Sequence, residues 1–348
     1  MLLAMAFPLQ AAAGMIALGT LPGGTFSIAH GVSADGSVVA GISSTSGEHQ
    51  AFRWTLSEGM TSLGFLPGDV SSHAASVSAD GSVIVGSSNM TARIGTHQAF
   101  RWTRSDGMVG LGFLPGDTSS FATTISADGT VVAGQSGILD DRQRPFRWTR
   151  SGGMVALGFL PGGTMSNING ISADGAVMVG YGDSSIGTQA FRWTKTSGMI
   201  ELGFPPGCTS STATGVSADG AVIAGYAKIA GGMQQAFRWT KSGGWISLGL
   251  LSGGTYSIAT AISADGLVIV GYADTGNGIQ AFRWTRPDGM VGLGFLPGGV
   301  SSYAQAVSAD GSAVAGYSRH PRSDTLMANE AFLWIKDEIM RHDKPANP

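Results

Sequence analysis

Hydrophobic and polar positions in this chain change over in short bursts, none of them long enough for a helix. Residues 248–289, LGLLSGGTYSIATAISADGLVIVGYADTGNGIQAFRWTRPDG, show the pattern once in full. Residues 259–263 read as a first strand, and 268–271, apolar without alternation, as a second strand covered on both faces. Residues 280–285 read as a third, with Phe282 and Trp284 on one face and Arg283 on the other, because side chains alternate at period 2. Residues 290–295 make the fourth. Ala264-Asp265-Gly266 and Pro287-Asp288-Gly289 separate neighbours; Asp-Gly between apolar runs predicts a tight hairpin with positive φ at both central positions.

This four-strand unit recurs seven times. The turn aspartates are Asp35, Asp80, Asp128, Asp174, Asp219, Asp265 and Asp310, spaced by 45, 48, 46, 45, 46 and 45 residues. The aromatic anchors Trp54, Trp102, Trp148, Trp193, Trp239, Trp284 and Trp334 keep the same step, as do the Leu-Gly pairs that begin at Leu18 and end at Leu293. A period in the mid-forties is the span of a four-stranded propeller blade. Residues 14–19, GMIALG, match 289–294, GMVGLG, and form a fourth strand with no first three before it. The last copy stops after its third strand, at residue 335. One end supplies the strand the other lacks, so the expected fold is an all-β, seven-bladed β-propeller closed across its termini. Closure removes exposed sheet edges, and a monomeric ring is expected.

The predicted ring occupies residues 14–335, followed by a polar tail, 336–348. Residues 1–13 are apolar and end in Ala11-Ala12-Ala13, like a signal-peptide cleavage region, but lack a charged start. They read either as a signal peptide truncated by a mis-called start or as an apolar leader packed on the domain. No run reaches the roughly 18 apolar residues of a membrane span, so no transmembrane segment is expected. The composition, 55 Gly and 12% charged residues, suits short strands and tight turns. A net charge of −3 without a basic stripe argues against nucleic acid as a partner. The lone Cys208 excludes an intramolecular disulfide framework.

With S-A-D-G, A-F-R-W-T and L-G-x-L-P-G-G in view, the chain resembles the HAF-repeat family of bacterial repeat proteins. The resemblance runs from Gly14 to Ile335 and implies an extracellular, periplasmic or cell-surface location more than any chemistry. The blade is also similar to WD-repeat blades, where an Asp-Gly turn precedes a strand and a tryptophan sits in the third strand. The seventh copy departs from the pattern, with Leu333 in place of the arginine and Ile335 in place of the threonine.

Residues that recur from copy to copy read as structural. The arginines of the third strand (Arg53, Arg101, Arg147, Arg192, Arg238, Arg283) and the turn aspartates are expected to pair between blades. A serine after each loop (Ser27, Ser72, Ser120, Ser166, Ser211, Ser257, Ser302) reads as a turn-stabilising hydroxyl, since a nucleophile need occur only once. Function is expected where the copies differ, in loops at the channel mouth: Phe26, His30, His73, Phe121, Asn167, Asn169, Tyr256, Tyr303 and Gln305. Aromatics mixed with amides and histidines suit a glycan or a protein ligand.

Catalytic and metal motifs are missing: no G-x-S-x-G, no H-E-x-x-H, no Walker loop, no paired-Cys site. Residues 274–278 lack the later acidic ligand of a calcium loop. Neither a cofactor, a metal nor a catalytic residue is assigned. The leading expectation is a secreted or surface-exposed, non-catalytic binding or adhesion module. The alternative is a glycan-active lyase or hydrolase at the channel mouth, with His30, His73, Tyr256 and Tyr303 as first candidates.

Overall fold

A computed structural model describes residues 14–89, 96–137, 143–323 and 326–336. They form seven four-stranded antiparallel sheets arranged as a ring, a seven-bladed β-propeller without helices. The leader at 1–13 and most of the tail lie outside the described residues.

In each blade we label the strands a to d from the channel outward. Blade 1 comprises Ser27–Val32, Val39–Ser44, His49–Thr55 and Gly59–Ser62; blades 2 to 6 repeat this order. Blade 7 takes strands a to c from Ser301–Val307, Ala313–Ser323 and Leu326–Ile335, and its strand d is Gly14–Ala17. The register Gly14↔Ile335 to Ala17↔Phe332 closes the ring as expected from the termini.

A second closure runs around the channel. The alanine of each S-A-D-G turn donates its N–H to the same alanine carbonyl of the next blade, Ala34 to Ala79 and onward to Ala309, which donates back to Ala34. The seven bonds measure 2.8–3.0 Å. Each alanine thus spends both its N–H and its C=O on the neighbouring blades.

The turn itself differs from the predicted two-residue hairpin. In blade 1 the Gly36 N–H bonds the Ser33 carbonyl at 3.1 Å, so Ala34 and Asp35 are the central pair and Gly36 follows them with φ 76°. Glycine is required there twice over, by the positive φ and by the neighbouring blade. At Gly220 a Cβ would meet Val177 Cγ2 at 2.5 Å. The turn aspartates do not pair with the strand c arginines as expected. Ser33 Oγ donates to Asp35 Oδ1 at 2.6 Å, the Ser37 N–H at 3.0 Å, and the Val38 N–H donates to Ser33 Oγ at 2.9 Å. These bonds hold the Asp35 carboxyl below its ordinary pKa against the opposing effect of burial. The arginine does reach the next blade, but Arg283 Nε bonds the Gly311 carbonyl there, at 3.1 Å.

The recurrent serine at the start of strand a fastens one blade to the next. Ser257 Oγ donates to the Gly249 carbonyl (2.9 Å) and accepts from the Ala236 N–H (3.0 Å) of the preceding blade. Ser27 repeats this across the closure with Gly19 and Ala331. Blade 4 is the exception because its partner is Pro145, which has no N–H. There Ser166 Oγ turns to Met199 Sδ instead.

Between blades the core is built on phenylalanine more than on the expected tryptophans. Phe52, Phe100, Phe146, Phe191, Phe282 and Phe332 are fully buried, whereas Trp102, Trp148 and Trp239 are only partly covered. Leu333, in place of the arginine, joins the apolar cluster that seals blade 7 against blade 1.

Candidate functional site at the channel mouth

Most residues expected in mouth loops sit on strand a itself. Each strand a carries a one-residue bulge at the same place, so its register with strand b skips His30, Ala75, Thr123, Asn169, Thr214, Thr260 or Gln305. A bulge re-aims a side chain, and here the bulged residues line a channel cavity of about 270 Å³. In blades 3 to 6 the bulged side chain bonds the next blade: Thr123 Oγ1 to Ile168 O (2.8 Å), Asn169 Nδ2 to Ala213 O (2.8 Å), Thr214 Oγ1 to Ala259 O (3.0 Å) and Thr260 Oγ1 to Ala304 O (2.9 Å). His30, Ala75 and Gln305 break that series on one side of the channel.

The His30 and His73 rings meet edge to face at 4.5 Å. Both keep a strip of surface on the channel but lie deep among protein atoms, which disfavours the charged form. Burial lowers His30 to about 3, helped by His73; it lowers His73 to about 4, helped by His97. Phe26 packs on His49 (4.8 Å) and Phe121 on His97 (4.6 Å). Blades 1 to 3 thus present a histidine and phenylalanine sector.

The opposite sector is built from tyrosine. All six tyrosines of the chain fall in blades 4 to 7: Tyr181, Tyr226, Tyr256, Tyr272, Tyr303 and Tyr317. Four of them were not singled out from the sequence. They occupy one position of strand b, directly across from Asn167, Thr212, Ile258 and Tyr303 of strand a. The same position is Ile42, Ser87 and Gln135 in blades 1 to 3, so comparing copies along strand b would have found them. Tyr303 stacks on Tyr317 (4.7 Å, 12°) and meets the edge of Tyr272 (5.0 Å). Burial raises the phenols of Tyr181, Tyr256 and Tyr272, and raises Tyr317 to about 12. In each case a neighbouring tyrosine adds to the shift, which brings the hydroxyls into one electrostatic group. Among the described residues, none of the six phenol oxygens hydrogen-bonds to protein.

Carboxylates near the mouth are engaged elsewhere. Asp183 accepts from the Thr164 and Met165 N–H groups (2.8 and 2.6 Å), Asp274 from Thr255 Oγ1 (2.8 Å), and Asp117 pairs with Arg144 at 2.7 Å. Asn167 Nδ2 contacts Met165 Sδ at 2.9 Å. Among the described residues, no three His, Cys, Asp or Glu side chains converge as metal ligands do. No described helix is long and apolar enough to cross a membrane. Of the charged residues between strands b and c, residues 140–142 lie outside the described residues, and His320 on strand b of blade 7 faces Glu330 on strand c at 3.6 Å.

No protein-family model matches the chain, and no curated protein matches it in sequence. Solved structures do match in fold. The oligogalacturonate lyase of Vibrio parahaemolyticus superposes with a TM-score of 0.59 at 10% identity, covering 92% of this chain and 93% of its own. The virginiamycin B lyase of Staphylococcus aureus gives 0.56 at 13%, covering 92% and 98%. A TolB-like protein of Agrobacterium tumefaciens gives 0.51 at 15%, covering 90% and 98%. At these identities the likeness is one of propeller fold.

Proposed function

We propose that the protein is a secreted, periplasmic or surface-exposed recognition module that binds a glycan or protein ligand at the channel mouth without transforming it. The observation that carries this reading is the tyrosine sector: among the described residues six phenol hydroxyls have no protein hydrogen-bond partner, and four of them stand at one position of strand b in consecutive blades. Aromatic rings with a polar tip are suited to ligands that offer both an apolar face and hydrogen-bonding groups. The mouth is the site proposed for Phe26, His30, His73, Phe121, Asn167, Asn169, Tyr256, Tyr303 and Gln305, joined by Tyr181, Tyr226, Tyr272 and Tyr317. The location rests on the resemblance to HAF repeats and on the small-residue run that ends the leader.

The catalytic alternative meets a physical objection. General acid–base groups work best with a pKa near the working pH, and burial takes His30 and His73 to about 3 and about 4. Neither has a carboxylate to raise it. A lyase or hydrolase would have to use other groups.

The test is a broad glycan array probed with the purified chain, with mass spectrometry of each bound saccharide. Binding without new fragments is expected. Accumulating fragments would replace this reading with the enzymatic one, and silence on the array would leave a protein ligand as the only occupant compatible with it.

A further inference from the structure

The opposite face, where the a–b and c–d turns lie, carries a second set of grooves between neighbouring blades. One, between blades 2 and 3, has a volume of about 910 Å³ and is lined by Arg101, Arg147, Arg150, Asp106 and Asp174. The next, between blades 3 and 4, measures about 700 Å³ and includes Arg147, Lys195 and Asp174. Each groove sets a strand c arginine of one blade near a cationic residue of the next blade's c–d turn.

The ion pairs between blades 1 and 2 show what such a pair of cations can hold. Glu58 receives Arg53 Nη1 at 2.8 Å from its own blade and Arg104 Nη2 at 2.8 and 3.0 Å from the next. Hydrogen bonds between guanidinium and carboxylate are among the stronger ones. Glu58 precedes the c–d turn glycine, and the residues in that place in blades 2 to 5 are Asp106, Gly152, Ser197 and Gly243. Asp106 is one methylene shorter, and its carboxylate receives Ser105 Oγ at 3.3 Å. Among the described residues Arg101, Arg150, Arg238 and Arg286 form no ion pair within 4.0 Å. Burial, and then Arg150, lower the pKa of Arg101; burial, and then Arg286, lower that of Arg238. Like charges therefore face each other there, and among the described residues no carboxylate bridges them as Glu58 bridges Arg53 and Arg104. Asp106 partly offsets the charge at Arg101 and Asp174 lines both grooves, but each groove keeps one more cation than anion.

We infer that these inter-blade grooves are carboxylate seats open to an anionic ligand, where the equivalent pair between blades 1 and 2 is filled internally by Glu58. Their repetition from blade to blade suits a polymer with carboxylates at intervals, an acidic polysaccharide, held at several seats at once. The site is separate from the mouth and does not depend on the reading proposed for it.

The test uses the full chain and an oligomannuronate of about six units at low ionic strength, with a neutral dextran oligomer as control, followed by calorimetry. Asp106→Glu and Gly152→Glu extend a carboxylate into the two open seats, and Glu58→Gln vacates the filled one. If each seat contributes one charge-assisted pair, the double variant Asp106→Glu/Gly152→Glu weakens oligomannuronate binding by about tenfold or more, and Glu58→Gln strengthens it several-fold. Mouth variants such as Tyr272→Phe leave it unchanged, and added salt weakens it. Unaltered affinity in the double variant, equal binding of dextran, loss of binding only in the mouth variants, or no oligomannuronate binding at all each overturns the inference.

Discussion

Replacing Ser257 by alanine removes a hydroxyl that is fully buried and bonded on both sides of a blade interface. The Ala236 N–H loses its only side-chain acceptor, 3.0 Å away, and the Gly249 carbonyl loses a donor at 2.9 Å. A buried donor left unsatisfied costs about 1–3 kcal/mol. A change of that size lowers Tm by about 2–4 °C per kcal/mol in domains of 150–250 residues, and by somewhat less in this longer ring. Ser166→Ala is the internal control. Ser166 is equally buried, but Pro145 offers no N–H to orphan and only a 3.5 Å contact to Met199 Sδ is lost. Its cost should fall clearly below that of Ser257→Ala, because no buried N–H is left without an acceptor. Calorimetric melting of both variants beside the parent decides the matter. Equal destabilisation by the two would refute the account of the serine as an inter-blade fastener.

Three further outcomes are expected. Deleting residues 14–19 strips strand d from blade 7 and takes Leu18 from the sealing cluster; light scattering should show aggregation, and a monomer of unchanged Tm would count against closure. Gly220→Ala combines a φ of 71° with a Cβ 2.5 Å from Val177 Cγ2, for a loss of about 1–3 kcal/mol in denaturant titration; no loss would contradict the packing described. His30 and His73 bind protons more weakly folded than unfolded, so the stability they contribute is complete above about 6.5 and falls as pH drops toward 4 and 3. Melting from pH 7 to 4 should show that slope, and His30→Asn/His73→Asn should flatten it; an identical slope in the variant would show the histidines were not its source.

The ring was legible because its evidence is redundant: seven turns, seven Leu-Gly pairs and a fourth strand displaced to the N-terminus all give one architecture. Strand a was less so. Stretches such as Ser27–Val32 and Ser71–Val77 are rich in small polar residues and the bulge breaks their alternation, so the first strand, read over 259–263, begins two residues earlier, at Ser257. The turn aspartates and strand c arginines are opposite charges at one end of the blade, and only the local serine geometry shows that the carboxylate is already engaged. The tyrosine sector is visible residue by residue but not as a sector, because the apolar run of strand b ends at Gly271 while the strand itself continues through Tyr272 to Asp274. The contacts among tyrosines of neighbouring blades depend on how the blades face one another, which a single repeat does not encode.

The central claim is that the tyrosine sector holds the ligand. The most direct measurement is the affinity of the strongest array ligand for the parent, Tyr226→Phe, Tyr272→Phe and Tyr317→Phe, each of which removes only a hydroxyl. A lost hydrogen bond of about 1 kcal/mol weakens binding about fivefold, with Tm unchanged. That loss in at least two of the three variants is the expected result; parental affinity in all three would contradict the claim.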